Sequence, residues 1–487
     1  MGKKLKILYV SAEVVPFAKT GGLADVAGAL PKALAEMGHD VRIAMPLYGD
    51  IDRVRYGIRP ATPSFSIPHA NDTLEISIDT STAIPGVPTY FIHNDYLYNR
   101  PGLYGHFDDD HRFIAFSRGV MEMFGHIGWF PDVINCNDWH TALIPVYLKT
   151  LYADRPDYAK IASVFSVHNI AYQGGFGRNI MNLAGLPWSE FTWDKLEYYG
   201  MFNFIKAGLE YADIISTVSK MYAIETQTDQ YGEGMQGLLL YRSADYHGIV
   251  NGIDYTDWSA EKDEYLPKKF SSTDLNGKAM CKNAVQREMG LTEDANIPLF
   301  GIVSRLSHQK GLDLLEDALP ALLSEGKMQL AVLGTGDEYY IDMMQLLAIE
   351  YPGKVSLAAR FDNALAHRIY AGSDAFLMPS RYEPCGLGQL IAMAYGTVPV
   401  VRFTGGLADT VHEKAETGNG FVFHEYSDAA MTDCIHRAIT CYTDTPKLWA
   451  NIIKNCFAAD FSWTASAKKY VDIYHEAMEK RRVKSEK

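Results

Sequence analysis

The sequence predicts an α/β protein with two doubly wound, parallel-sheet domains. Apolar runs of strand length alternate with helical patterns near the start of the chain, and the same alternation begins again near residue 298. Glycine-rich or polar segments follow many of these runs, at the positions where open parallel sheets place their ligands. The length of 487 residues also favours two large domains, since a domain usually contains about 100–200 residues.

Composition narrows the class of protein. The hydrophobic fraction of 47% is typical of a globular protein, and the net charge of −14 argues against a broad nucleic-acid-binding surface. No apolar run approaches the length that crosses a bilayer, and the apolar run near the start is too short for a signal peptide. The six cysteines form no Cys-x-x-Cys pair, so no zinc or redox motif is indicated. We expect a cytoplasmic protein without membrane or nucleic-acid partners.

The first alternating series begins with a strand at Leu5–Val10 and continues, after a loop and a helix that ends at Gly38, into a strand at Val41–Met45. The loop contains Lys19-Thr-Gly-Gly22, in which glycines allow close approach of the backbone to a ligand and Lys19 adds a positive charge. A simple turn with an exposed lysine is the alternative. The dinucleotide fingerprint Gly-x-Gly-x-x-Gly is absent here, which disfavours a dehydrogenase.

Polar residues follow two later strands of this series. Asp138 and His140 come after Val133–Asn137, and His168 and Asn169 come after a strand that ends at Val167. Two histidines, an aspartate and an asparagine at neighbouring strand ends favour a functional site over four structural side chains.

An acidic run, Asp108–Asp110, has two interpretations. It could be a metal-binding Asp-x-Asp motif, but acids also favour helix N-termini, and a helical pattern starts at His111. We favour the helix N-terminus.

The second series predicts another doubly wound sheet. Arg305 and Lys310 follow its first strand, so both can face the carboxyl edge of the sheet, and Gly334-Thr335-Gly336 follows the second strand. The predicted strands are Leu299–Val303, Gln329–Leu333, Lys354–Ala358, Ala375–Pro379 and Val398–Arg402.

The segment Ser380–Gly388 joins a strand to a short helix through a turn with a proline and two glycines. Unpaired N–H groups at the start of a helix bind anions such as phosphate. Glu383 precedes this site and, being repelled by a phosphate, needs another partner. Sugar hydroxyls are one candidate, and capping of the turn or pairing with Arg381 is the other.

One hexapeptide occurs twice, as Thr20–Asp25 and Thr404–Asp409, each time between a strand and a probable helix. Two halves that each present such a loop suggest a ligand cleft between them. Chance or shared turn chemistry is the alternative.

Together these segments resemble the bacterial glycogen synthases and plant starch synthases over nearly the whole chain, from about Leu5 to beyond Phe461. The shared motifs are Lys19–Val26 (KTGGLADV), Asn137–His140 (NDWH), Val167–Gly174, Ser304–Gly311, Pro379–Gln389 and Thr404–Val411. The resemblance implies glycosyltransferase family 5 and the GT-B architecture, in which two Rossmann-like domains face a central cleft. It also implies retaining transfer of glucose from ADP-glucose to the non-reducing end of an α-1,4-glucan such as glycogen or starch.

The resemblance assigns roles residue by residue. It implies catalytic roles for Glu383, His168, Lys310 and Arg305, and donor binding by Lys19, Gly21, Gly22, Asp138, Asn169, Gly334, Thr335, Gly336, Phe361, Cys385, Gly386 and Leu387. It implies no cofactor and no metal, because protein cations would neutralise the diphosphate. Two positions depart from related patterns. Ile391 stands where the wider GT-B enzymes often have a second glutamate, and Phe361 stands where some relatives have a tyrosine.

We predict an N-terminal domain at 1–248 on the acceptor side and a C-terminal domain at 249–464 on the donor side. The resemblance implies that residues 465–487 form a helix that crosses back to the first domain. A plastid location would apply if a transit peptide had been removed. The rival functions are a non-catalytic protein that binds glucan or nucleotide sugar, and a GT-B transferase with a small acceptor such as fructose phosphate.

Overall fold

The computed structural model describes residues 4–485, which form two compact units. The N-terminal unit contains the chain up to Gly252 and also the segment that begins at Trp463. Residues Ile253–Ser462 form the C-terminal unit. The sequence placed these two boundaries after residues 248 and 464. In the described part of the chain, we find no helix that combines the length and the apolar character needed to span a bilayer.

A large sheet organises the N-terminal unit. The strands are Lys6–Val10 (β1), Asp40–Pro46 (β2), Arg59–Pro60 (β3), Phe65–His69 (β4), Asp72–Ser81 (β5), Thr89–His93 (β6), Val133–Asn137 (β7), Ala162–Val167 (β8), Gly175–Phe176 (β9), Glu197–Tyr198 (β10), Met201–Asn203 (β11), Ile214–Thr217 (β12) and Tyr246–Gly248 (β13). The helices are Gly22–Glu36 (α1), Asp95–Tyr98 (α2), Asp109–Ile127 (α3), Leu143–Lys149 (α4), Pro156–Ala159 (α5), Ile180–Leu183 (α6), Phe204–Tyr211 (α7), Lys220–Glu225 (α8) and Gln236–Tyr241 (α9), with 3₁₀ turns at Trp139–Thr141, Trp188–Glu190 and Ser243–Asp245.

The strand order is β13-β12-β8-β7-β1-β2-β6-β5-β3, with β4 paired to β5 and a separate small sheet β10-β11-β9. The first seven strands in this order, β13, β12, β8, β7, β1, β2 and β6, are all parallel to their neighbours, whereas β5 runs antiparallel to β6. The central strands are almost entirely buried, as expected for a parallel sheet that is covered on both faces. Because β1, β7 and β8 are neighbours, the loops that follow them meet at one edge of the sheet.

The C-terminal unit contains a six-stranded, wholly parallel sheet in the order β16-β15-β14-β17-β18-β19. Its strands are Leu299–Val303 (β14), Gln329–Leu333 (β15), Val355–Ala358 (β16), Ala375–Met378 (β17), Val398–Arg402 (β18) and Phe421–Phe423 (β19). Its helices are Asn276–Glu288 (α10), Leu312–Ser324 (α11), Glu338–Glu350 (α12), Asn363–Gly372 (α13), Gly388–Ala394 (α14), Gly405–Thr410 (α15), Asp428–Asp444 (α16) and Pro446–Ala458 (α17), with a 3₁₀ turn at His308–Lys310. The predicted second doubly wound sheet is therefore confirmed.

The last helix, Trp463–Ser485 (α18), completes the N-terminal unit by packing on α1 and β8. Its Tyr474 hydroxyl donates to Asn135 Oδ1 at 2.9 Å, and Asn135 Nδ2 donates to the Ser166 hydroxyl at 2.9 Å. Near its end, Arg481 Nε donates to the carbonyl of Ala159. A buried polar chain thus ties this distant segment to the centre of the first sheet.

Two carboxylates of the acidic run at 108–110 form ion pairs with arginines. Arg100 pairs with Asp108 at 2.8 Å, and Arg112 pairs with Asp109 at 2.6 Å. Helix α3 begins at Asp109, although the Asp108 side chain makes no capping hydrogen bond. Among residues 4–485 no cluster of three metal-ligating side chains occurs.

We expect Tyr474→Phe to lower the melting temperature of the N-terminal unit by about 2–6 °C, measured by calorimetry. The change leaves the buried Asn135 Oδ1 without its hydroxyl donor, at a cost of about 1–2 kcal/mol. Tyr339→Phe is the control, because it removes an exposed hydroxyl that donates to Glu316. An equal shift in both variants would contradict a special role for the buried bond.

Candidate active site

In the N-terminal unit, a buried carboxylate fixes the glycine loop that follows β1. Glu13 Oε2 accepts the N–H groups of Thr20 at 2.5 Å and Gly21 at 3.2 Å, and the Thr20 hydroxyl donates to the same carboxylate. Gly21 and Gly22 are at least partly exposed at the start of α1. Lys19 is exposed and its Nζ lies 2.7 Å from Asp25. The loop is thus rigidly anchored, while its lysine and backbone face solvent.

Neighbouring strand ends bring His168 and Asp138 together. The Asp138 carboxylate accepts the N–H of His168 at 2.7 Å, and His168 Nε2 lies 2.9 Å from Asn137 Oδ1. Because Asn137 Nδ2 donates to Val10, its Oδ1 is the acceptor and His168 Nε2 carries the proton. The imidazole therefore has a fixed orientation and leaves Nδ1 as an acceptor.

The two ionisable groups of this cluster have strongly shifted pKa values. Burial lowers the pKa of His168 to about 4, so its imidazole is neutral at pH 7. Burial also raises the pKa of the Asp138 carboxyl to about 7, against the opposing effect of backbone N–H groups that it accepts. Asp138 further adopts φ 53°, a conformation that non-glycine residues rarely adopt. Shifted titration and an unusual backbone at one strand end are typical of functional sites.

His140 has a different environment from His168 and Asp138. Its ring is buried among Tyr104, Phe113 and Trp139, and burial lowers its pKa to about 3. Of the four polar residues that the sequence singled out at these strand ends, His140 is therefore part of the aromatic core.

In the C-terminal unit, the central feature is an ion pair. Lys310 Nζ lies 2.6 Å from Glu383 Oε2, and the Ser380 hydroxyl donates to the same oxygen at 3.0 Å. Within residues 4–485 no donor reaches the other carboxylate oxygen, Oε1. Glu383 lines a cavity of about 220 Å³ together with Arg305, Lys310 and Leu387, so Oε1 is available to a ligand hydroxyl. Pairing of Glu383 with Arg381, one of the predicted alternatives, is wrong, since Arg381 pairs with Asp313.

The same cavity contains the predicted anion-binding groups. Arg305 is exposed, with its guanidinium near Gln309 at 3.3 Å, and Gly386 and Leu387 lead into α14. The first N–H groups of this helix have no partner within the helix. Arg305, Lys310 and the start of α14 thus place positive charge around one cavity, as the sequence predicted. Cys385 is buried beside it.

The second copy of the hexapeptide, Thr404–Asp409, packs against the backbone of the loop that carries Glu383. A Cβ at Gly405 would lie 1.9 Å from the carbonyl oxygen of Glu383, and one at Gly406 would lie 1.9 Å from that of Cys385. Gly406 N–H also donates to the Glu383 carbonyl at 3.0 Å. Since Gly405 and Gly406 are buried, this copy acts as a support. The two copies therefore have different structural roles.

The predicted nucleotide-binding residues lie on the loops after β15 and β16. A Cβ at Gly334 would lie 1.8 Å from the Ser304 carbonyl, and one at Gly336 would lie 2.1 Å from that of Leu306, so both glycines allow two loops to pack. Thr335 is exposed between them. The Phe361 ring is 88% exposed, which leaves it free to stack on a base.

Sequence reasoning missed four residues that hold the site in place. Glu13 anchors the first glycine loop, Asn137 orients His168, Ser380 binds Glu383, and Gln389 donates to the carbonyls of Cys385 and Gly386. Asn137, Ser380 and Gln389 lie inside the motifs Asn137–His140 and Pro379–Gln389, and this position was the signal that could have identified them. For Glu13 the only signal was an acidic residue in an otherwise apolar segment.

The two doubly wound units, each with its polar groups at the carboxyl edge of the sheet, define a GT-B glycosyltransferase. A family model described as "Starch synthase catalytic domain" matches residues 6–241, and one described as "Glycosyl transferases group 1" matches residues 288–456. The chain belongs to the glycogen and starch synthase family of glucosyltransferases, which confirms the fold and family predicted from the sequence.

Relatives support this assignment over the full length. A glycogen synthase of Moorella thermoacetica is 45% identical, covering 99% of both chains, and one of Thermotoga maritima is 44% identical, covering 98% of this chain and 99% of the other. The catalytic domain of starch synthase IV from Arabidopsis thaliana, solved with ADP and acarbose, superposes with a TM-score of 0.91 at 32% identity, over 98% of this chain and 100% of that one. A sucrose-phosphate synthase from Thermosynechococcus elongatus, at TM-score 0.59, 18% identity and coverage of 97% and 99%, shares the fold alone.

We expect Asp138→Asn to stabilise the N-terminal unit more at pH 8 than at pH 5. A folded-state pKa of about 7, raised from 3.8, means that the folded protein holds a proton that the unfolded chain has lost. The stability associated with this carboxyl is therefore present below pH 4 and is lost progressively as the pH rises to about 7. Asparagine removes that loss, so its stabilising effect should be about 2–3 kcal/mol larger at pH 8 than at pH 5, because stability falls by about 1.36 kcal/mol for each pH unit between pH 5 and about pH 7.

Calorimetric melting of both proteins at the two pH values measures this effect. Asp154→Asn, which changes an exposed aspartate of the same unit, is the control. A difference between Asp138→Asn and the wild type that does not change with pH would contradict the raised pKa.

Proposed function

We propose that this chain transfers glucose from ADP-glucose to the non-reducing end of an α-1,4-glucan, with retention of configuration. The observation that supports the proposal most strongly is the arrangement of Lys310 and Glu383 in one cavity with Arg305 and the start of α14. Cations and helix N–H groups suit a diphosphate, and a carboxylate oxygen without a donor suits a sugar hydroxyl. The relatives named glycogen synthase, and the similar starch synthase solved with ADP, agree with this choice of substrates.

Glucosyl transfer breaks the bond between C1 of glucose and the diphosphate. Negative charge then accumulates on the leaving ADP, where Arg305, Lys310 and the N–H groups at Leu387 would stabilise it. Such preorganised donors contribute about 2.7–4 kcal/mol each in related oxyanion sites. The proposal assigns this charge neutralisation to protein groups and assigns no role to a metal ion.

Positive charge develops at C1 in the same step. We assign Glu383 to the glucose hydroxyls through Oε1, and His168 and Asn169 to another side of the sugar. A neutral imidazole does not oppose the developing positive charge, which fits the lowered pKa of His168. Lys19 and the loop at Gly21 and Gly22 are assigned to the donor phosphates and glucose, and Asp138 is assigned to holding the His168 backbone.

The nucleotide is assigned to the loops after β15 and β16. Thr335, between two glycines, would contact the ribose or phosphate, and Phe361 would stack on the adenine. Cys385 and Gly386 would lie against the glucose and diphosphate. A phenylalanine at 361 retains stacking but offers no hydroxyl.

The direct test of the function is ADP release from ADP-glucose in the presence of glycogen. We expect release that depends on glycogen, a lower rate with UDP-glucose, and elongation of maltooligosaccharides detected by mass spectrometry. Fructose phosphate and free glucose serve as acceptor controls. Release with fructose phosphate but not with glycogen would assign the chain to another transferase activity, and binding of glycogen without any release would indicate a non-catalytic protein.

We expect Lys310→Ala to reduce turnover by about 10²–10³-fold, because it removes a cation from the leaving diphosphate. The control is Lys327→Ala, which removes an exposed lysine of the same unit that pairs with Glu325 at 3.4 Å. Initial rates of ADP release at saturating substrates measure the effect. Near-normal turnover in Lys310→Ala would exclude Lys310 from the diphosphate site.

We expect Glu383→Gln to lose activity while its affinity for ADP stays within about threefold of the wild type. The amide keeps the shape of the side chain but weakens its hydrogen bonds from sugar hydroxyls, which ADP lacks at that position. Calorimetric titration with ADP and the release assay provide the two readouts. A collapse of ADP affinity would instead give Glu383 a structural role in shaping the anion site.

A further inference from the structure

Asp313 connects the segment that carries Lys310 to the segment that carries Glu383. It lies three residues after Lys310, in the first turn of α11. Its Oδ2 accepts from Arg381 Nη2 at 3.1 Å, and its Oδ1 accepts from the Tyr426 hydroxyl at 2.6 Å. Since Arg381 precedes Glu383 by two residues, this carboxylate bonds together the two chain segments whose side chains form the ion pair.

Two arginines and the ring of Tyr426 complete the contacts around Asp313. The guanidinium carbons of Arg381 and Arg402 lie 4.2 Å and 5.2 Å from the centroid of the Tyr426 ring, within the range of cation–π attraction. Arg402 Nη1 also donates to the Arg381 carbonyl at 2.6 Å. We call Asp313, Arg381, Arg402 and Tyr426 the Asp313 cluster. Because the cluster holds both the backbone and the side chain of Arg381, it restricts the loop that continues to Glu383.

The two segments also contact each other through their backbones. The N–H of Arg381 donates to the carbonyl of Gln309 at 2.9 Å. Gly311 has φ 73°, and a Cβ at this position would lie 2.0 Å from the carbonyl oxygen of Pro379. A glycine, which has no Cβ, therefore lets the chain after the lysine pass close to the chain before the glutamate. The relative position of the two side chains thus depends on the packing of their segments as well as on the ion pair.

The Asp313 cluster lies outside the cavity that is assigned to the diphosphate. Among the described residues, those that line this cavity include Lys310 and Glu383 but none of the four members of the cluster. A phosphate in the cavity would compete with Glu383 for the Lys310 ammonium, because both anions accept hydrogen bonds from the same group. Since the cluster does not contact the phosphate, its bonds would persist when the ion pair weakens.

The pair of Asp313 and Arg381 is too exposed to contribute much to stability, which favours a role in geometry. The two side chains are 30% and 41% exposed. Ion pairs with this exposure are weakened by solvent and salt, so they add little to the free energy of folding. In contrast, a displacement of about 1 Å at a catalytic group can lower a reaction rate by about 10²-fold.

We propose that Asp313 is a positioning residue for glucosyl transfer. It fixes the segment of Lys310 against the loop of Glu383, so that one ammonium reaches the carboxylate and the leaving diphosphate at the same time. The inference rests on the proposed function, since it takes the cavity to hold a diphosphate. Asp313 acts through Lys310 and touches neither the donor nor the reacting atoms.

A double-mutant cycle separates this role from a general effect on the fold. Asp313→Ala should lower the kcat of ADP release about tenfold in the wild-type background, because Lys310 is no longer held in its place. In the Lys310→Ala background the same change should alter kcat by less than about twofold, since the group on which Asp313 acts is absent. Loss of folded protein would instead lower the rate by the same factor in both backgrounds.

Two further variants test the charge and the specificity of the effect. Asp313→Asn keeps one oxygen for the Tyr426 hydroxyl but loses the charge that pairs with Arg381, so its kcat should lie between those of the wild type and Asp313→Ala. Glu288→Ala is the matched control, because Glu288 also pairs with an arginine of this unit, Arg368, at 2.7 Å, and its side chain is 36% exposed. Glu288 does not line the cavity, and its removal should leave kcat within about twofold of the wild type.

Calorimetric titration with ADP provides a readout that does not need turnover. Asp313→Ala should raise the Kd for ADP about threefold in the wild-type background, because the lysine that binds the diphosphate is displaced. The same substitution should leave the Kd of Lys310→Ala unchanged. Glu288→Ala should bind ADP as the wild type does.

Two outcomes would overturn the inference. Either the kcat of Asp313→Ala stays within about twofold of the wild type, or Asp313→Ala lowers kcat by equal factors in the two backgrounds. If Asp313→Ala shows no cooperative melting, Asp313→Asn takes its place in the cycle under the same criteria. The proposed function fails separately, if the wild type does not release ADP with glycogen, and the cycle in ADP affinity then still tests Asp313.

Discussion

The ion pair between Lys310 and Glu383 is the interaction on which the candidate site depends. A buried carboxylate next to an anion site would be destabilised twice, by loss of water and by repulsion from the bound phosphate. Lys310, 2.6 Å away, compensates both effects, and it does so with a charge that a diphosphate also needs. Removing one partner of such a buried pair leaves an uncompensated charge, which is why the geometry of the pair must be held closely.

Several neighbours hold the pair in place through the backbone. The Ser380 hydroxyl donates to Glu383 Oε2, Gln389 donates to the two carbonyls that follow Pro384, and Gly405 allows α15 to approach the Glu383 carbonyl. These contacts come from the loop that follows β17, from α14 and from α15, so three segments at the sheet edge converge on one turn. The placement of Glu383 at the cavity wall is a consequence of this support, because these contacts restrict the loop.

Much of the fold could be predicted from the sequence, because parallel strands that are buried on both faces appear as uniform apolar runs. The predicted strands Leu299–Val303 and Gln329–Leu333 coincide with β14 and β15. The sequence indicated which residues belong to the candidate site, but not which of them pair with each other. Lys310 and Glu383 are 73 positions apart, and no periodicity links them. The alternative that paired Glu383 with its sequence neighbour Arg381 is wrong, because Arg381 pairs with Asp313 and Glu383 pairs with the distant Lys310.

The repeated hexapeptide illustrates the same limit. The glycines of its first copy, Gly21 and Gly22, are at least partly exposed and the Glu13 carboxylate fixes the loop, whereas the glycines of its second copy, Gly405 and Gly406, are buried against the Glu383 loop. Identical residues therefore serve different purposes, because the surrounding structure supplies an acidic partner in one case and backbone carbonyls in the other. Glu13 lies seven residues before Thr20, and its apolar neighbours signal a buried acid without indicating which backbone groups it binds.

The electrostatic character of the two units differs in a way that matches the proposed chemistry. In the C-terminal unit, the cationic side chains Arg305 and Lys310 line one cavity, as the proposed binding of a diphosphate requires. In the N-terminal unit, burial keeps His168 neutral and brings Asp138 close to its titration point. A cationic imidazole would raise the energy of a glucosyl group that is gaining positive charge at C1. Burial at the N-terminal sheet edge keeps His168 neutral, which is the state that the proposed function requires of this side chain.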